Sequence, residues 1–113
     1  MLRDYRLYLD DIQASVEKIR KFTQGLSFDE FSADNKTFDA VVLNLQIIGE
    51  ATKHIPDSVK EKYPDVDWRR IAGLRDVIAH GYFGLNEHIL WDLVQNRVPQ
   101  LQEQVRHILA KEG

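Results

Sequence analysis

Apolar residues recur at helical intervals along most of this 113-residue chain. In residues 3–22 they stand three or four positions apart, the spacing that lines one face of a helix. Gly25 follows and is expected to end the helix. The members of this first stripe are Tyr5, Leu9, Ile12, Val16, Ile19 and Phe22. The chain therefore begins with a predicted amphipathic helix.

The next part of the chain predicts a short connection followed by a central helix. Residues 26–36 are mostly polar, and their two phenylalanines predict a loop or one helical turn held by aromatic packing. Residues 38–55 carry apolar side chains around most of the helix circumference, which is typical of a helix packed on several sides. Pro56 should stop this helix. The candidate caps at its start are Ser32, Asp34 and Asn35.

The second half of the chain predicts a further turn and a third main helix. Residues 57–66 form the turn, which Pro64 should end, and Asp67 suits the N-cap of the helix that follows. The apolar stripe of that helix consists of Trp68, Ile71, Leu74 and Ile78.

A fourth main helix is expected to start at the cap residue Asn86, and its apolar positions extend to Ile108. Pro99 lies inside it and should bend it, because the ring clashes with the preceding turn and the nitrogen donates no hydrogen bond. We find no strand pattern of useful length, no repeat and no flexible linker. The sequence therefore predicts one all-α domain over residues 1–113, a bundle of four main helices plus a short helix.

Composition narrows the functions open to such a domain. The chain has no Cys, which excludes disulfide scaffolds, thiol catalysis and Cys-ligated metal centres. Its net charge of −3 is spread over both halves and argues against a general nucleic-acid binder, although an enzyme that touches a phosphate briefly is compatible with it. No apolar run approaches the length of a membrane span, and no signal peptide is visible at the start. We expect a cytoplasmic protein with no membrane partner.

The four histidines give no sign of a metal site. They are scattered at wide spacings, and no paired ligand motif is visible. We therefore expect no metal and no cofactor. Three of them are expected to be surface residues, namely His54, His88 and His107.

The stretch from Arg75 to Tyr82 is unusual for a helix in a bundle. Arg75 occupies a stripe position where an apolar residue is expected, and a buried guanidinium there must find an acceptor. His80 falls in the last turn, just before Gly81, a residue suited to follow a helix end. The negative end of the helix favours a protonated imidazole. Asp76 stands four residues before His80 and is expected to reach it.

Each candidate residue also has a purely structural interpretation. Arg75 could pair with an acid from another helix, His80 could cap its own helix, and Tyr82 could pack in the loop. Asn44, in the apolar second helix, is either a satisfied buried amide or a site residue. Glu50 is either a general base or a partner for an arginine, and its position favours the partner.

Arg75, His80 and Tyr82 match the R-x-x-x-x-H-x-Y motif of the HEPN superfamily. The surroundings resemble one branch of it, the HepT-like toxins that are paired with minimal nucleotidyltransferase antitoxins. The short motif alone has little specificity, and the ordered context makes the match specific. That context consists of Asn44, Gly49-Glu50-Ala51 and the segment from Trp68 to Asp76. The similarity covers about residues 4–109.

The resemblance implies a fold, an activity and partners. It implies a small helical bundle that forms a homodimer and cleaves RNA as a metal-independent endoribonuclease toxin. Arg75 and His80 would be its catalytic residues. The partner antitoxin, a minimal nucleotidyltransferase, would neutralise the toxin by adenylylating Tyr82. The positions with a supporting role would be Asp76, Asn44 and Glu50.

The chemistry of these side chains agrees with that implied role. Cleavage without a metal uses the adjacent 2′-hydroxyl as nucleophile and needs a base, an acid and positive charge near the phosphorane. Histidine suits the proton steps, and the arginine fork suits the phosphate. Because one chain supplies one motif histidine, we expect a composite site in a two-fold dimer, with the apolar stripe around Arg75 as its seam.

Two other classes of function remain open. A non-catalytic HEPN binding or scaffold module that partners a nucleotidyltransferase would suit the acidic balance of the chain. A plain structural helical domain would leave the motif residues Arg75, His80 and Tyr82 without an explanation. The intact motif favours the enzyme.

Overall fold

A computed structural model describes the backbone of residues 3–81 and 86–112, and the side chains in these ranges except those at 77 and 79–81. All regular structure in this part of the chain is helical. The all-α prediction is therefore confirmed. Tyr82 and the side chain of His80 lie outside the described residues.

In chain order the helices of the described residues are α1 (Tyr5–Thr23), α2 (Phe28–Ala33), α3 (Asn35–Lys53), α4 (Asp57–Lys60), α5 (Trp68–Gly81), α6 (Glu87–Asp92) and α7 (Val98–Glu112). Four long helical segments build the bundle, in agreement with the four main helices predicted. They are α1, α3, α5 and the continuous run of α6 and α7. Two short helices, α2 and α4, stand in the described ranges where the sequence predicted one.

Short polar side chains cap the N-termini of three helices at the predicted positions. Asp34 caps α3, and Asn86 caps α6. Asp67 accepts a hydrogen bond from the backbone nitrogen of Arg70 in the first turn of α5. Gly25 has a φ of +77°, a left-handed conformation that closes the end of α1 at little steric cost.

The helix around Pro99 changes its hydrogen-bond register. Residues Leu93–Arg97 form a π-helical turn between α6 and α7, and the backbone N–H of Val98 donates to the carbonyl of Leu93, five residues back. The proline nitrogen has no hydrogen to give, so the normal ladder is broken there in any case. Pro99 was predicted to disturb the helix, and the structure shows this disturbance as a π-helical turn.

The core lies between α1, α3, α5 and α7, with α3 at its centre. Helix α3 packs against both α1 and α5, and α1 also packs against α7. Trp68 and Ile78 of α5 are buried in the same core. The largest fully buried side chains include Phe31, Leu9, Ile12, Ile19, Leu45, Ile48 and Ile108.

One carboxylate ties three parts of the chain together at the end of the bundle. Glu112 accepts hydrogen bonds from the hydroxyls of Tyr5, at 2.8 Å, and Tyr63, at 2.7 Å. Only 11% of its side chain is exposed. The two phenols, that of Tyr63 first, hold the pKa of Glu112 below its usual value. The same contact raises the pKa of Tyr63 to about 12.

Candidate active site

Helices α3 and α5 meet in direct backbone contact at Gly49. A Cβ atom on Gly49 would lie 2.6 Å from the backbone nitrogen of Arg75 and 3.2 Å from the carbonyl oxygen of Ile71. No other residue fits this space without moving a helix. Gly49 thereby brings Arg75 alongside the next residue of α3, Glu50.

The guanidinium of Arg75 is held by acids from two helices. Its Nε lies 3.2 Å from Oε2 of Glu50, on α3, and its Nη1 lies 3.5 Å from Oδ1 of Asp76, on α5. Glu50 is thus an arginine partner, as its position favoured. These two contacts hold Nε and Nη1, and a guanidinium has five N–H donors, so the fork has donors to spare for a ligand.

Arg75 is not buried, which corrects the expectation from the apolar stripe. Its side chain is 44% exposed. The reason lies in the crossing of the two helices: Gly49 has no side chain that could cover the arginine stem, and the long stem carries the charge out to water. The penalty for a buried charge therefore does not arise here.

Asp76 binds two cations among the described side chains. Its Oδ1 lies 3.0 Å from Nζ of Lys53, as well as 3.5 Å from Arg75. The hydrogen bond from Lys53 is the main cause that lowers the pKa of Asp76. The predicted contact with His80 lies outside the described side chains.

The backbone places His80 in the last turn of α5. The helix includes Gly81, so this glycine is its last helical residue rather than the first residue beyond it. His80 follows Arg75 by five positions on the same helix. The two motif residues are therefore joined by continuous helix, the most rigid connection a chain can make between them.

Glu50 also reaches a third group, His54. The Nε2 of His54 lies 3.5 Å from Oε1 of Glu50, while the Nε of Arg75 lies 3.2 Å from Oε2. The imidazole stacks on the ring of Tyr8, with 4.6 Å between centroids and 12° between planes. His54, His88 and His107 are all exposed, as the sequence predicted.

Sequence analysis gave no functional role to three residues around this site. They are Tyr8, Lys53 and His54. The one available signal was the interval of four between Glu50 and His54, which places both on one face of α3. The contacts of Tyr8 and Lys53 cross between helices, and no local spacing indicates such contacts.

Asn44 is only half satisfied. It is 4% exposed, and its Nδ2 donates to the carbonyl of Ala40 at 2.8 Å. Its Oδ1 has no hydrogen-bond partner among the described residues. No hydrogen bond joins Asn44 to Arg75 or Glu50 in that part of the chain. The structure thus places Asn44 in the core of α3 rather than with the charged groups.

The charges around Arg75 balance. Two cations, Arg75 and Lys53, face two carboxylates, Glu50 and Asp76. At least a third of each of these side chains is exposed, so the group is open to solvent. A phosphate must compete with carboxylates for Arg75, and its binding there is expected to be weak and sensitive to salt.

Apolar surface adjoins the charged groups. Leu43 is 56% exposed and Ile47 is 37% exposed. They precede Glu50 by seven and three positions on α3, so all three share one helix face. Of the α5 stripe, Trp68 and Ile78 are buried within the chain, while Ile71 and Leu74 are half-buried.

No three acidic or histidine side chains in the described ranges lie close enough together to hold a metal ion. Of the helices that the structure describes, none has the length and apolar character needed to cross a membrane.

Comparison with known proteins gives a consistent result. Residues 12–108 match the family described as Ribonuclease HepT-like. A protein of Methanocaldococcus jannaschii that is provisionally named an RNase is 43% identical over 107 residues, which are 95% of this chain and 88% of that protein. A protein of Thermococcus cleftensis, provisionally named ribonuclease HepT, is 41% identical over 102 residues, 90% of this chain and 93% of that protein. No solved structure matches the chain.

Proposed function

Because this chain belongs to the HepT-like ribonuclease family, we propose that it cleaves RNA as a metal-independent endoribonuclease in which Arg75 and His80 are the catalytic residues. The observation that carries the proposal is the half-exposed guanidinium of Arg75, anchored on Glu50 and five positions before His80 on α5. Transfer of a phosphodiester to the 2′-hydroxyl requires positive charge near the phosphorane and a group that moves protons, and arginine and histidine are side chains of these two kinds.

The side chains around Arg75 have distinct tasks in this scheme. Glu50 holds the Nε of Arg75 and leaves the outer nitrogens to the phosphate. Asp76 touches Nη1 at the longer distance of 3.5 Å and gives way when phosphate binds. Glu50 and Asp76 are therefore positioning residues, while Arg75 stabilises the phosphorane and His80 moves protons.

A homodimer would complete the reaction. Two proton transfers are needed, and each chain brings one motif histidine, so the site is composite in this proposal. The exposed pair Leu43 and Ile47 supports it, because apolar surface beside the charged groups gains most by being covered. The stoichiometry is measured by size exclusion with light scattering, and a monomer at working concentrations would exclude the shared site.

In this proposal a partner protein controls the cleavage of RNA. A minimal nucleotidyltransferase antitoxin transfers AMP from ATP to the phenolic oxygen of Tyr82, and pyrophosphate leaves. Tyr82 follows the last residue of α5 in the sequence. The added phosphodiester carries negative charge and a bulky base close to the motif residues. That group would occupy the phosphate position at Arg75 and exclude RNA, which makes the unmodified chain the toxin of a toxin–antitoxin pair.

The deciding experiment uses two proteins, the wild type and His80→Ala. Each is purified and incubated with RNA in the presence and absence of EDTA. We expect the wild type to cleave in both conditions and His80→Ala to cleave in neither. Induction of each protein in cells should give arrested growth and broken RNA with the wild type alone. Equal cleavage by His80→Ala would place the activity elsewhere.

The balanced charges around Arg75 favour one alternative, a non-catalytic binding or scaffold module that partners a nucleotidyltransferase. The same experiment distinguishes it. Such a module would bind its partner equally well with histidine or alanine at position 80 and would release no RNA fragments.

A further inference from the structure

The imidazole of His54 lies beside the proposed site and has no part in the reaction described above. Its Nε2 is 3.5 Å from one oxygen of Glu50, and the Nε of Arg75 is 3.2 Å from the other oxygen. A single carboxylate group separates the imidazole from the guanidinium. Two groups that share one carboxylate can contact the phosphate and a neighbouring base of the same RNA strand.

The ring of His54 stacks against one aromatic ring, and about half of the side chain is exposed to solvent. Tyr8 covers the first face at 4.6 Å between centroids. Tyr8 is itself fixed by the guanidinium of Arg3, 4.5 Å from its ring centroid, and Arg3 is paired with Asp11 at 2.7 Å. Yet 49% of the His54 side chain is exposed. Since Tyr8 occupies one face, an RNA base has to approach the ring from its other side.

We propose that His54 is a stacking platform for an unpaired RNA base next to the phosphate bound at Arg75. The inference rests on the proposed ribonuclease function and specifies its substrate as single-stranded RNA. Bases inside a duplex are already stacked on their neighbours, so only an unpaired base can lie on a protein ring. Every base has a π face, so this contact selects single strands without selecting a sequence.

The first test measures KM and kcat for a short single-stranded RNA with the wild type, His54→Ala and His54→Phe. Loss of one base–aromatic stack should raise KM about 5- to 150-fold in His54→Ala, with kcat little changed. Phenylalanine restores a flat ring but cannot bind Glu50, so His54→Phe should return KM close to the wild-type value.

A matched control comes from a second stacked histidine. His88 is exposed and lies on the ring of Phe28, with 4.2 Å between centroids and 15° between planes. It has no ion pair to the acids around Arg75 among the described residues. His88→Ala should therefore leave KM unchanged. Equal KM values for the wild type and His54→Ala, or equal losses in His54→Ala and His54→Phe, would overturn the platform.

A second readout separates this inference from the proposed function. 2-Aminopurine within the same RNA loses fluorescence when it stacks, and the His80→Ala protein allows binding to be followed without cleavage. We expect the His80→Ala protein to quench the fluorescence, and we expect the quenching to be absent in the double variant that carries both His80→Ala and His54→Ala. Quenching that persists would overturn the platform and leave cleavage intact. A wild type that quenches the probe through His54 but cleaves nothing would overturn the ribonuclease and keep the platform.

Discussion

The backbone nitrogen of Arg75 lies only 2.6 Å from the point where a Cβ atom on Gly49 would have to stand. The place of this arginine is therefore set by the contact of two helix backbones, before its own charge pairs contribute. Exposed ion pairs add little on their own. The glycine thus matters to the site although it carries no functional group.

Gly49→Ala should separate α3 from α5. We expect a loss of about 1–3 kcal/mol in the free energy of unfolding, the usual cost of overpacking, together with a fall in RNA cleavage because Arg75 moves away from Glu50. Urea unfolding and the cleavage rate are the two measurements.

Gly73→Ala is the matched control for that substitution. Gly73 is also helical, but a Cβ atom placed on it would meet nothing within 4 Å. Removing a glycine from a helix interior should stabilise the chain by about 0.5–1 kcal/mol. Wild-type stability and activity in Gly49→Ala would show that the close approach is unnecessary.

Arg75→Lys should be nearly as inactive as Arg75→Ala. Lysine keeps the charge but loses the planar fork, which alone can hold Glu50 and two phosphate oxygens together. Both variants should fold normally, because 44% of the side chain is exposed and little core is lost. Cleavage rates and circular dichroism provide the check, and full activity in Arg75→Lys would mean that charge alone suffices.

Tyr82→Phe should resist adenylylation by the cognate nucleotidyltransferase. The transfer needs the phenolic oxygen as its acceptor, and phenylalanine has none. Intact-mass spectrometry after incubation with ATP and Mg²⁺ should show one added AMP per wild-type chain and none on the variant. The same added mass on Tyr82→Phe would assign the modification to another residue.

The cleavage rate should pass through a maximum near or above the ordinary imidazole pKa of about 6.5, because one histidine must be neutral and its two-fold mate protonated. The helix end at His80 favours the protonated form. A mixed dimer of wild type and His80→Ala should be impaired, since the proposed shared site would then hold one imidazole. Half of the wild-type rate in that mixed dimer would instead mean that each subunit works alone.

Glu112→Gln should lower the melting temperature at pH 7 and weaken its dependence on acid pH. The pKa of Glu112 is lower in the folded chain than its ordinary value of 4.5. Ionised Glu112 therefore stabilises the fold above pH 4.5, and this stabilisation is lost as the pH falls through the lower folded pKa. The pKa of Tyr63 is raised from its ordinary value of 10.0 to about 12. The stabilisation that protonated Tyr63 gives is therefore lost only as the pH rises above 10.

Glu103→Gln is the control for the acid measurements. Glu103 is also on α7, but its side chain is 71% exposed and pairs only locally with Arg106 among the described residues. Thermal unfolding followed from pH 3 to 8 should show little change for this variant. If the melting temperatures of Glu112→Gln and Glu103→Gln changed with pH in the same way, the hydrogen bonds from Tyr5 and Tyr63 to Glu112 would not be stabilising the fold.

Periodicity and capping were enough to predict the fold. The stripe from Tyr5 to Phe22 and the caps Asp34, Asp67 and Asn86 correspond to real helices, because each is a local property of a short stretch. The π turn before Pro99 was not predicted, since a proline marks the place of a disturbance but not the hydrogen bonds that replace the lost ones.

The candidate site was predictable only in part. The partnership of Glu50 with an arginine followed from sequence, but the exposure of Arg75 did not, because its stripe position indicated burial. Exposure depends on what the facing helix offers, and a glycine there offers nothing. The stacking of Tyr8 on His54 joins residues far apart in the sequence, a distance at which a single sequence carries no spacing signal.

The hydrogen bond between Tyr5 and Glu112 has a consequence for how the chain can be rearranged. It joins the first turn of the first helix to the last turn of the last one, with 2.8 Å between the two oxygens. A few flexible residues would therefore bridge the two ends without strain. The chain should tolerate circular permutation with new termini in the exposed connection around Gly25, and it should also tolerate insertion as a unit into a surface loop of another protein.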